Sequence, residues 1–175
     1  MLAAFDPGLT TGFALFNESD GGRLVDCGTC KPDCMTLYGF FETFEINYVV
    51  AEKPQHYRSH LSKGDPNQLT PLAIQCGIIT GIAYCAGGAT RPDGSGGIDQ
   101  DRVHLVLPRD WKGQVPKSVT LRDCRRILTP DELVVGGGYC TKSNCKCKHH
   151  DKWDAIGLGL YGLNRLGIRS GWVRR

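Results

Sequence analysis

Short apolar runs that end in an acid punctuate the chain. Leu2–Asp6 is one, closed by the turn Pro7-Gly8, and 47–52 (NYVVAE) is another. Runs of this length bounded by turn residues predict strands. Thr11–Asn17 and 23–29 alternate apolar with polar residues around Ser19-Asp20-Gly21-Gly22, so the first three predicted strands form an antiparallel meander. From Asp33 the period changes: Leu37, Phe40, Phe41 and Phe44 recur at helical spacing, with Asp33 as N-cap. A long helix, apolar nearly all round, is expected over Leu69–Ala86, and a fifth strand over 103–107. A basic amphipathic helix follows over 116–128, with Pro116 in its first turn. The last helix is expected over 150–166, with Gly167 as its stop. Segments 53–68, 87–101 and 129–148 read as loops or irregular chain, and no internal repeat is visible. Three strands, then strands alternating with helices, predict a mixed sheet covered on both faces.

A length of 175 residues predicts one domain spanning 1–175. The longest apolar stretch, at 72–86, is interrupted by Gln75 and Thr80 and reads as too short to cross a bilayer. The first residues carry no basic flank and meet Asp6 at once, unlike a signal peptide, so no membrane partner is expected. Nine cysteines are an odd set for a disulfide framework, and a reducing cytoplasmic location is expected. Cys76 and Cys85 lie in the apolar stretch and read as small core residues. The net charge of +3 says little until its distribution is considered. Arg102, Arg109, Lys112, Lys117, Arg122, Arg125 and Arg126 face only Asp110 and Asp123 over the same stretch. That is either a polyanion-binding face or a solvated basic helix.

The acids narrow the choice. Asp6 and Glu52 each close an apolar strand, where an open α/β sheet places its site. Asp151 and Asp154, three residues apart, share one face at the start of the last helix. Each acid alone is equally a turn or cap residue. Together in one place they repel unless a hard cation neutralises them, and Mg²⁺ suits an open site of carboxylate and water oxygens.

The order of these pieces resembles the RuvC-type Holliday-junction resolvases of the RNase H-like nuclease superfamily, most closely phage and prophage members. The matching segments are Phe5-Asp6-Pro7-Gly8 with Thr11-Gly12, and Val49-Val50-Ala51-Glu52-Lys53-Pro54. Leu107-Pro108 with Trp111-Lys112-Gly113 and Pro116-Lys117 follow, and then the run from His150 through Asp151 and Asp154 to Leu160. The resemblance implies an α/β, RNase H-like fold: a mixed five-stranded sheet in the order 3-2-1-4-5, first three strands antiparallel, helices on both faces. It implies a structure-selective endodeoxyribonuclease resolving four-way DNA junctions by Mg²⁺-dependent hydrolysis, with Mn²⁺ able to substitute, leaving 5′-phosphate nicks. Asp6, Glu52 and Asp154 match the family's metal-binding acids. The fourth position is Asp151, with His150 as an auxiliary proton or phosphate contact, or else His150 itself. Chemistry of this kind uses two ions about 3.5–4 Å apart, which Asp6 on the central strand would bridge. A flap or RNA–DNA hybrid nuclease, or a non-catalytic DNA-binding module, remains the alternative. Cutting two strands of like polarity implies a homodimer, for which the surplus apolar surface of Leu69–Ala86 is the candidate contact.

Tyr57 and Arg58, just past Glu52, read as a base-stacking aromatic beside a phosphate contact, or as a residue packed on the loop base. Lys112 and Lys117 read as phosphate contacts, and Trp111 as a core plug. Cys140, Cys145, Cys147 and His149 offer four soft ligands within ten residues, either a structural Zn²⁺ site or free thiols. Cys27, Cys30 and Cys34 offer three.

Overall fold

The computed structural model describes residues 1–55, 69–86, 98, 100–113, 115, 117–137 and 149–165; at 117, 149 and 150 it describes the backbone. Five strands form one sheet: β1 (Leu2–Asp6), β2 (Thr11–Asn17), β3 (Arg23–Cys30), β4 (Tyr48–Glu52) and β5 (Val103–Val106), in the order β3-β2-β1-β4-β5. β1 pairs antiparallel with β2 and parallel with β4, and β4 pairs parallel with β5. The mixed RNase H-like sheet expected from the sequence is therefore the sheet observed.

Among the described residues six helices flank it: α1 (Cys34–Thr43), α2 (Leu69–Ala86), α3 (Pro108–Trp111), α4 (Lys117–Ile127), α5 (Pro130–Gly136) and α6 (His149–Gly162). Strand alternation sorts them into two layers. Ala3, Phe5, Val49 and Ala51 face one way and pack with Leu37 and Phe41 of α1 and Ile79 and Ala83 of α2. Leu2, Ala4, Ala14, Phe16 and Val50 face the other way, under Leu121 and Cys124 of α4 and the buried run of α6 from Trp153 to Leu160. Phe5, Phe13, Phe40 and Phe41 meet edge-on or stacked, with ring centroids 5.0 to 6.2 Å apart, and knit α1 to the sheet. Asp33 caps α1 as expected, its Oδ1 accepting from the Thr36 amide at 2.9 Å.

Several expectations are corrected. α3 and α5 were unforeseen, the first lying in the turn after β5, the second in chain read as irregular. Pro130 at the first turn and a Thr129/Glu132 capping box start α5. α6 ends at Gly162, before the Gly167 stop, which lies outside the described residues. Cys85 is exposed, while Cys76 is buried. At 18 residues and a mean hydropathy of 1.5, α2 is long and apolar enough to cross a membrane, despite Gln75 and Thr80. In this fold it lies along the sheet with Cys76, Ile79 and Ala83 buried.

The α5 connection is held by charge. Arg165, just past α6, donates both guanidinium nitrogens to Glu132, at 2.6 and 2.9 Å, and one of them also to the Gly22 carbonyl. The Glu132 carboxylate accepts from the Leu24 and Thr129 amides as well. Burial opposes its charge, but the hydrogen bonds from Arg165, Leu24 and Thr129 outweigh it and hold the carboxyl at about 2.

Candidate active site

Asp6 and Glu52 end neighbouring parallel strands, with Phe5 in register with Ala51. Alternation from Ala4 and Val50 turns both acids toward the α4 and α6 layer. α6 meets them there. Gly12, the cross-strand partner of Asp6, lies against the Asp151 backbone so closely that a Cβ at position 12 would overlap it. Glycine at this point lets the first turn of α6 settle on the end of the sheet. Asp151 is half-buried, and Asp154, one turn further along, is 3% exposed.

The short α3 supplies the fourth side of the site. Pro108 starts it, and Gly113 at φ +62° closes it, its amide donating to the Pro108 carbonyl. One turn of helix thereby aims two consecutive side chains at Glu52. Trp111 is fully buried, as the reading of it as a plug requires, but its Nε1 also donates to Glu52 Oε2 at 2.8 Å. The Lys112 ammonium reaches the same oxygen at 2.8 Å and Asp154 Oδ2 at 3.5 Å, and lies 4.7 Å from the Trp111 ring centroid. Burial disfavours the charge on Lys112, but Asp154, Glu52 and Asp6 more than compensate and raise its pKa. Behind them, burial and then the Asp154 charge push the Cys124 thiol up to about 12, which keeps it neutral.

Glu52 of β4 and Asp154 of α6 thus meet at one ammonium, Asp6 ends the neighbouring strand on the same face, and the Asp151 backbone lies alongside. The donor chemistry fits a hard divalent cation: the oxygens come from separate elements, and the cluster already draws a positive charge into a largely buried position. Among the described residues, no three His, Cys, Asp or Glu side chains stand together as a ready-made metal cage. The cation they surround is Lys112. The sequence placed Lys112 on a phosphate track; the structure puts it inside the acid cluster.

The remaining candidates divide by position. Lys117 opens α4, and His149 and His150 open α6 ahead of Asp151. Arg122, Arg125 and Arg126 are exposed on α4, the helix packed along α6. Tyr57, Arg58, Cys140, Cys145 and Cys147 lie outside the described residues. Cys27, Cys30 and Cys34 are free thiols; burial, followed by Asp33, raises Cys30 to about 11, and no metal group forms there among the described residues. Sequence spacing missed the Trp111–Glu52 bond, because 59 residues separate its partners.

The sheet order and the helices on its two faces are those of an RNase H-like fold. No protein-family model matches the chain, and no curated protein matches it in sequence. Solved structures match it in fold. Thermus thermophilus RuvC in complex with a Holliday junction substrate superposes with a TM-score of 0.52 at 13% identity, covering 91% of this chain and 89% of that one. A second T. thermophilus RuvC structure gives 0.51 at 16% identity, with 91% and 90% covered.

Proposed function

We propose that the chain is a structure-selective endodeoxyribonuclease acting on four-way DNA junctions. The observation that carries this reading is the meeting of Glu52 and Asp154 at a single ammonium, beside the strand-end Asp6, at the carboxyl ends of parallel strands. A surface that only binds DNA gains nothing from acids beside phosphate, whereas holding a hard cation against phosphate requires them. The RuvC-type fold, seen in T. thermophilus with a Holliday junction, supports the substrate class.

Asp6, Glu52 and Asp154, with Asp151 or His150 as the fourth group, would hold Mg²⁺ or Mn²⁺. Bound there, the cation supplies Lewis-acid activation of water and neutralises charge on the phosphate. The chain's own part is positioning. β1 and β4 fix two carboxylates on one edge, α6 brings the third, and Trp111 keeps one Glu52 oxygen in place. The exposed arginines of α4, and Lys117 at its start, would supply the basic groups that hold phosphates on either side of the cut. A reducing cytoplasm is part of the same proposal.

So is a symmetric homodimer built on α2, giving two related sites for two cuts. The structure refines which residue probes it. Ile78 and Ile82 lean on the core, whereas Ile74 is 58% exposed. Light scattering should find a dimer for wild type and a monomer for Ile74→Glu; a monomeric wild type that still makes paired cuts would remove the dimer.

Cleavage of a four-way junction, a flap, plain duplex and an RNA–DNA hybrid, each in Mg²⁺, tests the activity. Preference for the junction is expected. Preference for flap or hybrid reassigns the substrate, and junction binding without cleavage would leave only a DNA-binding module.

A further inference from the structure

We infer that Lys112 is a built-in competitor for the cation site: its ammonium lies in the acid cluster and must leave when a divalent cation enters. This rests on the reading of Asp6, Glu52 and Asp154 as the cation-holding acids. Three facts carry it. The ammonium is 2.8 Å from Glu52 Oε2 and 3.5 Å from Asp154 Oδ2, so it sits between two of the acids that would hold the cation. Its side chain is 15% exposed, beside partners at 16% and 4%, so the contact is made inside the cluster and not across its rim. Glu52 Oε2 is also held by Trp111 Nε1, so the carboxylate keeps its orientation when the ammonium withdraws.

The physical logic is charge balance. Carboxylates gathered at a strand edge repel, and an internal cation lets that edge fold before any metal arrives. A metal and the ammonium cannot both sit between the same oxygens. Divalent binding therefore carries the cost of breaking two ion pairs, and it liberates a flexible four-carbon side chain next to the scissile phosphate. The phosphate contact that the sequence suggested for Lys112 belongs to this displaced arrangement.

Mn²⁺ titration of the DNA-free protein, followed by the loss of the free-ion electron paramagnetic resonance signal, tests the inference without any measurement of cleavage. Lys112→Met removes the competing charge and keeps the stem; Lys112→Gln serves the same purpose should the Met variant fold poorly by circular dichroism. Either should bind Mn²⁺ about tenfold more tightly than wild type, the scale of one partly screened charge contact. Lys112→Arg keeps the charge and should stay near wild type. Equal or weaker binding in the neutral variants overturns the inference while leaving the acid cluster as the metal site. Absence of binding in wild type and neutral variants alike overturns both.

Discussion

Two ion clusters lie on the same side of the sheet, and they are balanced differently. At Glu132 both carboxylate oxygens are shared between Arg165 and backbone amides, with every contact between 2.6 and 2.9 Å. A planar guanidinium meets a carboxylate edge-on, and the amides complete it. That cluster is finished. At Glu52, Oε2 accepts from Trp111 Nε1 and meets the Lys112 ammonium, both at 2.8 Å, and the contact of that ammonium to Asp154 is long at 3.5 Å. The guanidinium pair fastens α5 and the end of α6 to β3; the ammonium joins two carboxylates from different elements at the carboxyl ends of the strands. The difference teaches that burial of charge does not by itself mark a functional site. What marks one is where the charges meet: at the carboxyl ends of parallel strands, where an open sheet places its site.

The sharpest way to break this comparison is to exchange charge for amide. Asp6→Asn, Glu52→Gln and Asp154→Asn should each lower junction cleavage by roughly 10³-fold, as loss of a group that stabilises developing charge does, with junction binding intact or tighter. Nicking and gel-shift assays on the same preparations check this, and substantial Mg²⁺-dependent cleavage by Asp6→Asn would sink the assignment. Glu132→Ala should do the opposite: destabilise by about 3 kcal/mol in urea, by leaving Arg165 without its partner, while cleavage well below the melting temperature persists.

Acidity separates the clusters further. The Glu132 carboxyl is at about 2 when folded against 4.5 for a free glutamate, so its contribution is complete above pH 4.5 and is lost as pH falls toward 2. Wild type should show that acid slope in its urea stability and Glu132→Gln should not. Trp111→Phe keeps the plug and removes the Nε1 donor to Glu52. It should reduce cleavage by about 10- to 100-fold at nearly unchanged melting temperature, as loss of a residue orienting a ligand does. The smallest effect belongs to Lys117→Ala, which should weaken binding to all DNA alike and flatten the salt slope by about one contact. An unchanged slope would make Lys117 structural.

Much of this was readable from residue order. The strands ending in Asp6 and Glu52, the switch to helical period at Asp33 and the pairing of Asp151 with Asp154 on one helix face are local patterns, set by side chains within four positions of one another. The unforeseen parts share another property. Trp111 reaches Glu52 across 59 residues, Glu132 reaches Leu24 across 108 and Arg165 reaches Glu132 across 33. α3 spans Pro108–Trp111, too short for any period to show. α2 and α6 illustrate the same limit: α2 is apolar nearly all round yet buries only Cys76, Ile79 and Ala83, whereas α6, which opens His-His-Asp-Lys, is buried from Trp153 to Leu160.

By itself the sequence determined the kinds of element, their order along the chain and the acids that end them, because these follow from backbone periodicity and turn chemistry over a few residues. Only the tertiary structure decided which oxygen of Glu52 is held, that Lys112 lies among the acids and not outside them, and which of two charge clusters lies at the carboxyl ends of the parallel strands. Those outcomes depend on distances across the sheet, and electrostatic energy in a partly buried site changes with every ångström of separation.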